Sequence, residues 1–420
     1  MLPKPSTYFY GLSSFEILVW FRRGLFYTYL SIYLRHYLGL SVTETTLFAT
    51  LPMIVNILGQ TLIWGRLSDR LQIRRSLIII GELSAGAGTT AVWYAHRMCH
   101  DPVAAGYVII CGLAVIELFW SMSNIAWSAL ISDLYTESQR TRIQGRLLSL
   151  GGVGRMAGIW IGGLLYDGMG AHFNGWGFHH GALFFIATGA MWISAIPLLL
   201  LPEGGVSTLP AAESATDLTP DAIDQKNRFL IFLIAMAFIN FGRNSIAVIS
   251  PQYLTLSSGF AVDSRMLSYI INTQSAAMII FGFLVGRISA RFHDHNCLMA
   301  ATALSVTALI MLASAASLPI IYTSSFLRGT ADVIITATAY TLASALIPAA
   351  RRGRLFSLFN ATFFLSWGLA GTLLAGPIID GLVKFGASAV LAYQSAIYAA
   401  AVLTMVGLFI LWRFRQTKIS

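Results

Sequence analysis

The chain has 420 residues, of which 56% are apolar and 11% charged, with a mean hydropathy of +0.70. Soluble domains carry about 25% charged residues, and a water-bathed globule of this composition would expose apolar area it has no means to cover. The formal net charge of +9 does not point to nucleic acid, because the basic residues are sorted along the chain by its apolar runs.

Crossing about 30 Å of hydrocarbon takes roughly 20 apolar residues in a helix. Taken in order, runs of that kind predict twelve spans, at 11–34, 45–65, 77–96, 103–131, 144–165, 181–201, 228–254, 266–286, 297–317, 319–347, 355–378 and 387–412. The expected class is therefore all-α and polytopic. Most of the 27 Lys and Arg fall at the N-terminus, in even-numbered loops, at the span ends beside them, or at the C-terminus, whereas Arg35, Arg97, Arg265 and Lys384 fall in odd loops. That bias predicts cytoplasmic termini in a plasma (inner) membrane. The first apolar run has no small-residue cleavage site and is interrupted by Arg22 and Arg23, so it reads as a span and not a signal peptide. Cys99, Cys111 and Cys297 lack metal-like spacing, and neither a disulfide, a metal nor a cofactor is expected.

The longest polar stretch, Glu203 to Lys226, is rich in Pro, Ser, Thr, Asp and Ala and reads as a cytoplasmic linker. It divides the chain into 1–202, linker 203–226 and 227–420. The two halves match each other. Phe21-Arg22-Arg23 corresponds to Phe241-Gly242-Arg243, and Tyr33-Leu34 to Tyr253-Leu254. Gly65-Arg66-Leu67-Ser68-Asp69-Arg70 corresponds to Gly286-Arg287-Ile288-Ser289-Ala290-Arg291, and Gly145-Arg146-Leu147-Leu148-Ser149-Leu150 to Gly353-Arg354-Leu355-Phe356-Ser357-Leu358. Parallel repeats of six spans are a transporter design in which substrate binds near mid-membrane between the halves.

On these residues the chain resembles the major facilitator superfamily over nearly its full length. The run from Gly65 to Arg70, with Arg74 and Arg75, is similar to that family's motif between spans two and three. The resemblance implies a cytoplasmic latch made by Gly65, Asp69, Arg70 and Arg74. The chain departs from the motif with Gln72 where Gly is usual. Gly145, Gly154, Gly158, Gly162 and Gly163 resemble the glycine spacing of an antiporter-type motif that implies export, although Ile159 stands where proline is expected. Ordinary close helix packing would also use those glycines. Glu117 stands where proton-coupled drug exporters carry an arginine.

Five arginines lie well inside spans, Arg22, Arg23, Arg155, Arg243 and Arg328, whereas Arg146 and Arg228 stand at span ends. Each of the five costs about 2.5–3.5 kcal/mol at mid-bilayer on insertion scales, so each needs a partner or water. The resemblance implies that spans one, four, seven and ten line the pathway, and these carry Arg23, Glu117, Arg243, Arg328 and Asp332. Glu16 and Arg23 share a helical stripe; Asn240, Arg243 and Asn244 share another; Arg328 and Asp332, at i and i+4, are spaced to pair. Deep cations outnumber deep acids, which favours an anionic solute held by guanidinium groups. The expected binding residues are Arg23, Arg243, Arg328, Asn240 and Asn244. Glu117 and Asp332 are the expected proton-coupling sites, since a carboxyl beside an arginine can take up a proton when substrate claims the arginine.

The sequence thus predicts a proton-coupled secondary transporter for a small organic anion, monomeric and surrounded by lipid. A drug or metabolite exporter working as an H⁺ antiporter, or a lipid or lysolipid translocase, are the other carriers it allows. No Walker-type nucleotide loop or HExxH pair is present to suggest a pump or a membrane enzyme.

Overall fold

A computed structural model describes residues 5–135, 137–168, 174–204, 220–347 and 352–416. Every regular element among them is helical: α1 Pro5–Ile32, α2 Val42–Leu58, α3 Gly65–Leu71, α4 Arg74–Arg97, α5 Pro102–Leu134, α6 Glu137–Tyr166, α7 Trp176–His179 and α8 Ala182–Leu198. They are followed by α9 Pro220–Ser245, α10 Ile249–Leu254, α11 Ser264–Phe292, α12 Asp294–Ala313, α13 Leu318–Leu346, α14 Arg352–Ala370, α15 Gly376–Lys384 and α16 Ala389–Gln416. Nine stretches among the described residues are long and apolar enough to cross a membrane. With α1, α8 and α13 they make up the twelve spans.

Local chemistry explains where several helices start and stop. Ser41 and Glu44 cap α2 reciprocally, the Ser41 hydroxyl accepting from the Glu44 amide and the Glu44 carboxylate from the Ser41 amide. Asp101 caps α5, with Pro102 in the first turn where no amide donor is needed. A π-helical stretch, Gly59–Trp64, joins α2 to α3, and another, Gly371–Ala375, joins α14 to α15. The helix of span two therefore runs on to Leu71, although its apolar stretch ends at Trp64, close to the predicted 65. It stops at Gln72, whose φ of 55° is left-handed; glycine adopts that region without strain, which accounts for the motif's usual residue there. Span seven, predicted as one run over 228–254, is broken between Ser245 and Ile249. Pro251 has no amide to give the Ala247 carbonyl and cannot continue a regular helix across that point. Helix α9 begins at Pro220, inside the stretch read as linker.

The chain forms two compact units, Met1–Thr208 with Val262–Asn272, and Leu209–Ala261 with Thr273–Ser420. In the first, α1 runs along α6 and α8, and α4 along α5 and α8. Glycines make the α1–α6 contact possible: a Cβ on Gly158 would stand 2.0 Å from the Phe21 carbonyl oxygen, and one on Gly24 2.4 Å from that of Arg155. The packing use of the span-five glycines is thus directly visible. Leu12, Phe15, Ile78, Met122, Ala126 and Leu130 form part of its apolar core. In the second unit α9 packs on α14 and α16, and α12 on α13 and α16, around Phe232, Met236, Ile239, Leu298 and Ile335.

Candidate functional site

In the first unit the two adjacent arginines of α1 have different fates. Arg22 is buried and donates to Glu82 on α4 at 3.0 Å. Its guanidinium lies 4.1 Å from the centre of the Trp120 ring, and the other Glu82 oxygen accepts from the Ser123 hydroxyl at 3.0 Å. This ion pair ties α1, α4 and α5 together. The sequence holds a signal for it, because Glu82 is the sole acid in span three and needs a cation. Arg23, one residue and about 100° further around the helix, is half-buried. It lies 5.2 Å from the centre of the Trp20 ring, whose Nε1 donates to Glu16 at 2.7 Å. The stripe shared by Glu16 and Arg23 is therefore real, with Trp20 between them. Among the described residues Arg23 makes no ion pair.

Glu117 on α5 accepts from the Asn56 side-chain amide of α2, whose own oxygen accepts from Gln60 at 2.7 Å. Gln60 sits in the π-helical stretch. Arg22 and Arg23 are within electrostatic reach of Glu117, but neither bonds to it.

In the second unit Arg243 is buried. It donates from Nη1 to Asp332 Oδ1 and from Nε to Asn240 Oδ1, both at 3.1 Å, and stands 5.6 Å from the centre of the Phe363 ring. Gln274 on α11 donates to the other Asp332 oxygen at 3.1 Å. Asn240 also donates to Thr362 at 3.0 Å and Asn244 to Ser366 at 2.8 Å, both on α14. Asn240, Arg243 and Asn244 do share a face, and that face meets α13 and α14. The predicted Arg328–Asp332 pair is not formed. Asp332 has both oxygens engaged from α9 and α11, and Arg328 turns instead to Ser250 Oγ at 3.5 Å. Among the described residues Arg328 makes no ion pair.

Each unit therefore carries an acid on its fourth span that accepts from a side-chain amide on its second: Asn56 to Glu117, and Gln274 to Asp332. The repeat-related arginines diverge, since Arg243 is neutralised in place and Arg23 is not.

At the end of the first unit that carries α3, Arg74 donates to Ser68 and approaches Asp133 at 3.7 Å. Arg75 pairs with Glu203 at 3.0 Å, and that carboxylate also accepts the Ser76 amide. Arg70 is exposed. Of Gly65 and Asp69 only the backbone, in α3, falls among the described residues. No three His, Cys, Asp or Glu gather into a metal-binding group among them; His172 lies outside them.

The sequence model of the Major Facilitator Superfamily matches residues 12–372 and again 232–419. An MFS-type efflux pump of Mycolicibacterium smegmatis (strain ATCC 700084 / mc(2)155) is 24% identical over 357 residues, covering 80% of this chain and 78% of the pump. Among solved structures, the nucleoside transporter NupG superposes with a TM-score of 0.71 at 14% identity, over 97% of this chain and 98% of that one. A bacterial homologue of the human lysosomal transporter Spinster, inward-facing and unoccupied, gives 0.70 at 14% identity, over 99% and 98%. At such identities the likeness is one of fold.

Proposed function

This chain belongs to the Major Facilitator Superfamily, and we propose that the cargo of this membrane transporter is a small organic anion moved by alternating access and coupled to protons. The observation that carries the reading is the unequal use of the deep arginines. Arg22 and Arg243 are neutralised by Glu82 and Asp332, whereas Arg23 and Arg328 have no ion-pair partner among the described residues. A guanidinium inside a span with no acid bonded to it is costly, and a carboxylate or phosphate on the cargo is what its planar donors fit. Arg23 and Arg328 are the proposed anion-contacting groups. Asn240, Arg243 and Asn244 are a polar face beside which cargo competes with Asp332 for Arg243.

Glu117 and Asp332 are the proposed proton carriers. Each is held by an amide that serves the charged carboxylate, and neither is fully sealed from solvent. Gly65, Asp69, Arg70 and Arg74, with Asp133 as the acid opposite Arg74, form the proposed cytoplasmic latch. The protein is placed, on the same reading, as a monomer among the lipids of the plasma (inner) membrane with both termini cytoplasmic.

The test is transport into liposomes containing the purified protein, comparing anionic, neutral and cationic solutes. Anions should be preferred, and Arg23→Ala and Arg328→Ala should each cut their uptake at least about tenfold, as loss of a charge-assisted bond worth about 1.5–3 kcal/mol would. Uptake blind to solute charge, or indifferent to both substitutions, removes the anion reading. Export is the second reading, favoured by the mycobacterial efflux relative; the direction of proton-driven accumulation in oriented vesicles decides it.

A further inference from the structure

Helix α14 has one broad exposed face whose two edges differ in kind, with Phe364, 50% exposed, between them. At about 100° per residue, Leu358 and Leu365 project on one side, and both are aliphatic and open, 45% and 41% exposed. Asn360, Phe363 and Trp367 share an arc on the other, with Asn360 exposed and the two rings 37% and 39% exposed. On the opposite side, Phe359, Thr362 and Ser366 pack toward α9, through Phe232, Asn240 and Asn244. The leucine side suits acyl chains. An exposed amide does not belong among them, since polar groups in spans face the interior or water. The same arc borders charge: the Arg243 guanidinium lies over Phe363, and its partner Asp332 is partly open, at 26%. Aromatic residues gathered at lipid headgroups would be an alternative, but Phe363 sits beside a mid-span ion pair, not at a helix end.

From this we infer that Phe363 and Trp367, flanked by Asn360, form a stacking shelf for an aromatic ring carried by the cargo. The two residues are one helical turn apart on the same arc, and the Phe363 ring meets Phe364 edge-on at 5.7 Å. Asn360, a turn below Phe363, offers a donor and an acceptor to a ring substituent. Arg243 already polarises the Phe363 face, a pairing that favours further stacking beside the cation. The inference names the class within the anion reading and rests on it for the charge: the cargo is an aromatic carboxylate or a similar aromatic anion, selected by its ring in the second unit.

The experiment is ligand binding to the full-length protein in nanodiscs, followed by thermal shift and equilibrium dialysis, with three probes of similar size. Benzoate carries ring and charge, cyclohexanecarboxylate charge without aromaticity, and benzamide the ring without charge. Benzoate should bind about three- to tenfold more tightly than cyclohexanecarboxylate, the range expected of one aromatic pair. Phe363→Leu and Trp367→Leu, which keep apolar bulk, should erase that ratio, and Phe363→Tyr should keep it. Equal binding of the two carboxylates overturns the shelf and spares the anion reading. Benzamide binding as well as benzoate, with sensitivity to Phe363→Leu, upholds the shelf and overturns the anion reading. Benzoate preference surviving in the double leucine variant, or no binding by either aromatic probe, overturns the shelf.

Discussion

Arg243 reaches across from α9 to Asp332 at 3.1 Å, although Arg328 lies four residues before that aspartate on the same helix. The second unit thus holds two deep arginines and one deep acid, and the acid has chosen the partner from another helix. The two arginines are consequently unequal when the pair is disturbed. Removing Arg243 leaves Asp332 bonded to Gln274 and within i−4 reach of Arg328, which can turn to it. Removing Asp332 leaves two cations with no acid.

The first prediction follows. Asp332→Ala should destabilise the protein by about 3–5 kcal/mol, the cost of stranding a buried charge. Arg243→Ala should cost about 1.5–3 kcal/mol, closer to one charge-assisted hydrogen bond. Thermal unfolding of both variants in one detergent gives the ranking. Arg243→Ala unfolding at the lower temperature would show that Arg328 does not take over.

Arg22 and Glu82 are each only 3% exposed, so they provide a cleaner case. Breaking the pair by Glu82→Leu or Arg22→Met should cost about 3–5 kcal/mol, whereas the combined Arg22→Met, Glu82→Leu replacement should recover most of it. Methionine can still lie on Trp120, and the residual loss should be near 1 kcal/mol for the orphaned Ser123 hydroxyl. Melting temperatures of the three variants supply the double-mutant cycle. If the combined variant is no more stable than the singles, the pair is valued for something other than its charge.

Much of this fold was legible because lipid imposes a simple length rule on apolar helices, and the repeat then doubled every signal. The interruption in span seven was also written in the sequence, as Pro251, but averaged hydropathy passes over a single imino acid. Partner choice was not legible. Spacing brings Arg328 and Asp332 onto one face, yet it carries no information on whether Arg243 or Gln274 arrives from another helix at the same depth. For the same reason spacing alone does not join Glu82 to Arg22, a contact that depends on how α1 leans on α4. Helix-face arguments succeeded for Asn240, Arg243 and Asn244, because those residues needed only their own helix to be aligned.

Glu117 has a hydrogen-bond partner but no arginine bonded to it, which is the basis of the proton role proposed for it. Glu117→Gln keeps an oxygen to accept from Asn56 and removes the titrating group. Accumulation of anionic cargo driven by a pH gradient should fall at least about tenfold, in keeping with loss of an essential proton-transfer group. Exchange of labelled for unlabelled cargo, which moves no net proton, should persist. Gradient-driven uptake at the wild-type rate would take Glu117 out of the coupling.

Glycine substitutions separate close helix approach from ordinary helix propensity. A methyl at Gly158 would be forced to within 2.0 Å of the Phe21 carbonyl oxygen, which belongs to backbone and has nowhere to go. Gly158→Ala should prise α1 from α6 and cost more than about 3 kcal/mol, in the range of severe overpacking. Gly189, in α8, has nothing within 4 Å of an added methyl. Gly189→Ala should raise stability by about 0.5–1 kcal/mol through helix propensity alone. Expression and melting temperature of the two variants check the contrast, which fails if both behave alike.

At the opposite end of the first unit from α3, His179 ends the short helix α7. Burial first, then the charges of Arg97 and His180, hold His179 below its ordinary value near 6.5. Arg97 on α4 lies 2.6 Å from His179 Nε2, and the Tyr37 ring packs 5.2 Å away. A cationic donor at that distance requires a neutral imidazole as acceptor. The unfolded chain therefore binds a proton more readily than the folded one in the window just below pH 6.5, so the stabilising contribution is complete above that pH and is lost as pH falls toward the folded value. The slope should be shallow, because His179 is partly solvated. Melting temperature followed from about pH 8 to pH 5 should decline on the acid side in the wild type, and His179→Gln should flatten that part of the curve. An unchanged acid limb in His179→Gln would assign the decline to other groups and leave the Arg97 contact without a role in it.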